Sequence, residues 1–263
     1  MPFVNDQMNR TVSLADRPKR IVSLVPSQTE LLFDLGLTDE VIGITKFCIH
    51  PQKWFREKAR VGGTKTVNIE KIKELQPDLI IANKEENVQE QVEALANDFP
   101  VWVSDINTLR EAYQMIESVG AITGKQEAAT HITKQIKEGF DQLPQARLMK
   151  AAYLIWKEPY MTVGGDTFIQ DMLFHAGFAN AFAQLKRYPA ITVDDLKESG
   201  CEVLLLSSEP YPFKQKHVDE LQRHLPDTKV ILVDGEMFSW YGSRLLYAPS
   251  YFKTLQEQVI VMQ

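Results

Sequence analysis

His50, His131, His175, His217 and His224 are the side chains best suited to hold a transition metal or pass a proton. They are dispersed, and no H-E-x-x-H pair occurs. Cys48 and Cys201 form no C-x-x-C motif, and two buried free thiols are expected rather than a disulfide. No G-x-S-x-G elbow is present. "VGGTKT" (61–66) and "VGGDT" (163–167) lack the phosphate-loop spacing and read as turns. With no activated nucleophile and no ligand cluster, the expectation is no catalysis, no metal and no cofactor. What the chain does offer is non-covalent chemistry. Aromatic and polar residues gather in "TKFCIHP" (45–51), "WKEPYM" (156–161), "KRYPAI" (186–191) and "EMFSWYGSRLLY" (236–247). Gly242 adds backbone freedom and Arg244 a cation. Four such loops on one cleft would make a platform for a large, flat, partly apolar ligand.

The elements that must position those loops are legible. "RIVSLV", "DEVIGI", "PDLIIA", "PVWVSD", "KAAYLIW", "CEVLLLS" and "TKVILVD" read as buried strands, alternating with helix-period segments such as 86–97, 166–177 and 215–224. That alternation predicts an α/β protein with parallel sheets, and each aromatic loop then falls at or near a carboxyl edge. In "KRIVSLVPSQTELLFDLGL" (19–37) a strand meets a proline and then a helix. Ser27 and Glu30 are spaced for a capping box, and Gly36 stands where the helix should stop. From Thr108 to Leu143 only helix is expected, including one from Lys125 to Leu143 with Ala128, Ile132, Ile136, Phe140 and Leu143 along one face.

The two flanking halves repeat. "IEKIKELQPDLII" (69–81) aligns without a gap on "VDDLKESGCEVLL" (193–205), and "LLFDLGL" (31–37) on "MLFHAGF" (172–178), in the same order. The expected organisation is a lobe over 1–107, connecting helices over 108–144 and a second lobe over 145–263, with the ligand between lobes at the carboxyl ends of the strands.

Bulk composition excludes other classes. The chain has 263 residues with 29 Lys+Arg against 35 Asp+Glu, a net charge of −6, which argues against nucleic-acid binding. No apolar run approaches the roughly 18 residues of a membrane span. "MPFVNDQMNR" has no apolar h-region, so no export signal is expected there.

"TVSLADRPKRIVSLVPSQTELLFDLGLTDEVIGIT", "NIEKIKELQPDLIIA" and "GAITGKQEAA" resemble the substrate-binding proteins of iron-siderophore, haem and vitamin B12 ABC importers. The resemblance runs from about Thr11 onward. It implies two Rossmann-like lobes with parallel-rich sheets joined by one long rigid backbone helix. The chain looks most like the B12-binding branch, through "ITKFCIHP", the "RYP" before the second-lobe helix, and the last aromatic loop. That likeness implies ligand contacts at Phe47, Tyr188 and Trp240, with Pro26 and Ser27 at the floor of the first lobe. Thr64 and Asn83 stand where the branch uses tryptophans, and His175 stands at one position of its disulfide. The implied role is a monomeric receptor that hands a corrinoid to an ABC permease dimer with ATPase subunits. Glu70 and Asp194 are the implied docking carboxylates, one per lobe.

Two alternatives stay open. One is a ferric-siderophore or haem receptor, with Arg187 and Arg244 facing an anionic chelate and Tyr160, Met161 or Tyr241 on haem iron. The other is an intracellular cobalamin carrier or sensor, or an enzyme on this scaffold. Family likeness implies a periplasmic or cell-surface location, and the missing export signal leaves a cytoplasmic one open.

Overall fold

The computed structural model describes residues 3–14, 16–144 and 148–261, the side chains of 260 and 261 excepted. The chain divides into two compact units. Unit 1 holds the residues up to Ile106, Arg110–Ile136 and the short segment Tyr241–Arg244; unit 2 holds Asn107–Leu109, Lys137–Trp240 and the chain from Leu245 onward.

Unit 1 opens with an antiparallel ribbon, β1 (Phe3–Asn5) and β2 (Thr11–Ser13). Five parallel strands follow: β3 (Ile21–Ser23), β4 (Val41–Ile44), β5 (Ala59–Arg60), β6 (Leu79–Asn83) and β7 (Val101–Ser104), in spatial order β5-β4-β3-β6-β7. Their connections carry α1 (Pro26–Asp34), α2 (Gln52–Glu57), α3 (Ile69–Leu75) and α4 (Gln89–Ala96). Every residue of β3, β6 and β7 is buried, as a sheet covered on both faces requires. Core residues Val22, Leu24, Ile72, Ile80, Ala82, Leu95 and Val103 pack together around the sheet.

α5 (Leu109–Thr123) and α6 (Gln126–Asp141) fill the expected helical region. Ile132, Ile136 and Phe140 are buried along α6. Ala129 takes the fully buried place expected of Ala128, one position on, and Leu143 lies beyond the helix end. Gly124, at φ +70°, makes the break between the two helices that a side chain would strain.

Unit 2 repeats the plan. β8 (Met149–Leu154), β10 (Phe178–Asn180), β12 (Val203–Ser207) and β13 (Lys229–Val233) form a parallel sheet in order β10-β8-β12-β13. β9 (Tyr160–Met161) and β11 (Ala190–Ile191) make a small antiparallel ribbon. The helices are α7 (Phe168–His175), α8 (Val193–Ser199), α9 (Gln215–His224), α10 (Glu236–Ser239) and α11 (Ala248–Val261). In both units the second strand of the sheet lies on one side of the first and the next major strand on the other, so β3, β4, β6 and β7 correspond to β8, β10, β12 and β13.

The repeat extends to local chemistry. Asn68 and Thr192 cap α3 and α8 by accepting from Lys71 and Asp195 N–H, and Gln76 and Gly200 end them in left-handed conformations at φ 45° and 60°. One local expectation fails. α1 has Pro26 at its first turn, the preceding cap Val25 contributes no side-chain bond, and Ser27 and Glu30 form no capping box. The fixed φ of proline already suits a helix start and it has no N–H to satisfy, so the helix begins earlier than the Ser27 pattern implied. The expected stop holds: Gly36 follows the helix at φ +79°.

Candidate functional site

Open α/β sheets bind ligands outside the carboxyl ends of their strands, where strand order reverses. In unit 1 that point lies between β3 and β6. It is floored by a buried polar network. The Ser104 hydroxyl oxygen, at the end of β7, accepts from Gln28 Nε2 at 2.5 Å and from Asn83 Nδ2 at 3.0 Å, while Ser104 donates to the Ala82 carbonyl at 3.2 Å. The Asn83 side-chain oxygen accepts from the N–H groups of Glu85 and Glu86 at 2.8 and 3.0 Å, so it shapes the turn after β6. Asn87 Nδ2 donates to the Leu24 and Thr64 carbonyls at 3.3 and 3.0 Å. Thr64 and Asn83, where tryptophans were the comparison, are buried members of this scaffold.

Phe47 follows β4 and is 51% exposed. The Lys46 ammonium stands 5.1 Å from its ring centroid, and a Cβ on Gly63 would lie 3.1 Å from its Cε2, so glycine lets the ring settle on the 61–66 turn. Cys48 beside it is buried and free, with Thr29 and Thr45 hydroxyls 3.1 and 3.2 Å from its sulfur. Burial pushes this thiol up, which leaves it protonated and inert.

Pro26 and Ser27 begin α1, half-buried and buried respectively. Against this turn lies Tyr241–Arg244. A Cβ on Gly242 would come within 3.0 Å of the Ser27 carbonyl oxygen, and Gly242 sits at φ +129°. Arg244 forks onto Glu30, donating from Nε at 3.0 Å and from Nη2 at 2.6 Å. Burial raises the Glu30 carboxyl above its ordinary value, with the Arg244 charge and hydrogen bond pulling it back. Arg244, expected as a cation for a ligand, is thus placed in an intramolecular pair, and Tyr241 is buried.

In unit 2 the reversal lies between β8 and β12. Trp156 leaves β8 and is 41% exposed, edge-on to Tyr211 at 5.7 Å. Tyr211 packs in turn on Phe213 at 4.8 Å and His217 at 5.5 Å. His217 is buried, its Nδ1 accepting from Lys214 N–H at 2.9 Å, which makes it a packing residue. Tyr160 donates its hydroxyl to Glu220 at 3.3 Å, and Lys157 pairs with Glu220 at 2.6 Å. Tyr188 is half-buried, with the Arg187 guanidinium 5.5 Å from its ring centroid. Trp240, expected as a stacking face, is only 7% exposed, and its indole N–H donates to Glu209 at 2.8 Å alongside the Ser239 hydroxyl at 2.6 Å. Trp156 is an exposed ring that sequence reasoning left out of its site residues although its loop had been singled out, and Tyr247, at the end of 236–247, is another.

Glu70 and Asp194 occupy matching, exposed places in the first turns of α3 and α8. Asp194 pairs with Lys197 at 2.9 Å. Among the described residues no group of three His, Cys, Asp or Glu side chains is placed to hold a metal ion, and no helix is long and apolar enough to cross a membrane.

A family model described as periplasmic binding protein matches residues 21–227. An uncharacterized ABC transporter substrate-binding lipoprotein of Bacillus subtilis is 31% identical over 183 residues, 65% of this chain and 57% of that protein. The chain therefore spans little more than half the length of that relative. A vitamin B12-binding protein of Photorhabdus laumondii is 26% identical over 242 residues, 90% of this chain and 87% of its own. Among solved structures, the periplasmic vitamin B12-binding protein of Vibrio cholerae is similar with a TM-score of 0.79 and 22% identity, over 92% of this chain and 98% of that one. A periplasmic haem-binding protein of Roseiflexus is similar at 0.78 and 19%, over 92% and 97%. These structures share the fold.

Proposed function

Because the chain belongs to the periplasmic binding protein family, whose members are binding proteins and not enzymes, we propose that it is the substrate-binding component of an ABC importer and that its cargo is cobalamin or a related corrinoid. The observation that supports this reading best is the exposed ring at the carboxyl edge of each sheet, Phe47 in unit 1 and Trp156 in unit 2. Flat apolar surface of that kind suits a corrin macrocycle. Phe47 is the proposed stacking contact of unit 1, where Ser27 offers the first backbone N–H of α1, and Trp156 and Tyr188 are those of unit 2. Tyr160 contributes its hydroxyl edge, while Trp240, Tyr241 and Arg244 shape the edge through their own intramolecular bonds. The protein works outside the cytoplasm as a monomer and delivers its ligand to a permease dimer driven by ATPase subunits. Glu70 and Asp194 dock one on each permease subunit, at equivalent points of the repeat.

The test is colour. Purified protein is mixed separately with cyanocobalamin, haemin and a ferric siderophore, then desalted. Retention of the cobalamin spectrum at about one equivalent is the expected result for a micromolar or tighter site. Retention of haemin or of the ferric chelate instead would replace the corrinoid by that ligand.

A further inference from the structure

Two hydrogen-bond acceptors at the carboxyl edge of unit 1 have no donor among the described residues. Gln28 is wholly buried, and its Nε2 is committed to Ser104. Because Ser104 gives its proton to the Ala82 carbonyl, its oxygen only accepts, and the Gln28 amide cannot be turned round without losing that bond. Gln28 Oε1 is left buried with no partner. The second acceptor is Glu86. Its backbone N–H is held by Asn83, yet its carboxylate enters no hydrogen bond or ion pair among the described residues. The two are linked, since Asn83 bonds Ser104 through its amide nitrogen and the Glu86 turn through its oxygen.

An uncompensated carboxylate that is half out of water costs free energy unless a donor or cation arrives. Here the local cation does not serve. Lys65 acts on Glu86 only through space, and its ammonium donates to the Glu85 backbone carbonyl. Burial raises the Glu86 carboxyl, Lys65 lowers it less, and Glu85 adds to the rise. The turn is also rigid, because one Asn83 oxygen holds two successive N–H groups. A half-buried, unmatched acceptor carried on a fixed turn at the point where strand order reverses is arranged to meet a donor from a ligand.

We propose that Glu86, linked to the orphaned Gln28 amide through Asn83 and Ser104, is the selectivity element of the ligand site: it accepts ligands that bring N–H donors or positive charge and rejects polyanionic chelates. This rests on the reading of the carboxyl edge as the ligand site, and it names the class of ligand. A corrinoid carries carboxamide N–H groups around its ring and satisfies the acceptor. Haem brings carboxylates and a ferric tris-catecholate carries net negative charge, and both meet repulsion.

The experiment titrates wild type, Glu86→Gln and Glu86→Lys with cyanocobalamin, haemin and a ferric tris-catecholate, with cooperative urea unfolding recorded to show that each variant folds. Loss of a charge-assisted bond predicts about a tenfold weaker cyanocobalamin complex for Glu86→Gln. Glu86→Lys should weaken it further and tighten the ferric tris-catecholate about tenfold or more over wild type. If wild type binds cyanocobalamin and Glu86→Gln binds it equally well, the proposal is overturned while the corrinoid reading stands. If wild type binds no cyanocobalamin, the corrinoid reading falls. The proposal then stands or falls on whether Glu86→Lys gains affinity for the two anionic ligands.

Discussion

Replacing Arg244 by methionine should destabilise unit 1 by about 3 kcal/mol, because the fork to Glu30 consists of two charge-assisted hydrogen bonds, each worth about 1.5 kcal/mol. Both side chains are 13% exposed, so solvent cannot replace the guanidinium at the Glu30 carboxylate. Glu30→Gln should cost less, about 1 kcal/mol, since the amide oxygen still accepts one N–H. The double variant should then be more stable than the sum of the single losses implies, with a coupling of about 2 kcal/mol. Urea unfolding followed by tryptophan fluorescence reads this well, because Trp54 and Trp102 are both buried within unit 1. The pH dependence carries a sign. Burial holds the folded Glu30 carboxyl above its unfolded value, so its contribution is full below the unfolded value and is lost as pH rises through the folded one. Arg244→Met removes the opposing pull, so the loss should grow and extend to higher pH, above the ordinary carboxylate range. A variant within about 0.5 kcal/mol of wild type at every pH, or strictly additive single and double losses, would refute the pair as a fastening of Tyr241–Arg244 to α1.

Three further outcomes are expected. Trp240→Ala should lower the stability of unit 2 by about 3 kcal/mol, as removal of a buried ring does. Unfolding calorimetry checks this, and an unchanged profile would show the indole to be dispensable. Phe47→Ala and Trp156→Ala should leave stability within about 0.5 kcal/mol, as exposed residues do. Each should weaken cyanocobalamin about tenfold in an absorbance titration, and full affinity in both variants would remove the stacking surface. Glu70→Lys together with Asp194→Lys should preserve ligand affinity and abolish uptake by cells that carry the cognate importer; undiminished uptake would end their docking role.

The amino-acid order by itself determined the parallel α/β class, the seven main strands it marked and the long helix it placed over 125–143, which forms over 126–141, because each is written in a local period of apolar residues. It also determined the internal repeat. Matching residues at 69–81 and 193–205 fold into matching caps, left-handed helix ends and strands, since capping and turn chemistry act within a few positions. The short strands β5, β9, β10 and β11 were not legible; two or three residues carry no period, and pairing with a neighbouring chain segment decides them. The same limit applied to the site. Glu30 looked like a capping partner for Ser27, but its partner is Arg244, 214 positions away. Trp240 and Trp156 are the same residue type in equally aromatic loops, yet a bond to Glu209 accompanies the burial of one while the other remains 41% exposed. The orphaned acceptors Gln28 and Glu86 emerged only when Asn83 and Ser104 were brought together from β6 and β7. Burial and hydrogen-bond partnership are properties of neighbours in space, so local order specified the elements and tertiary packing alone assigned each polar and aromatic side chain to structure or to solvent.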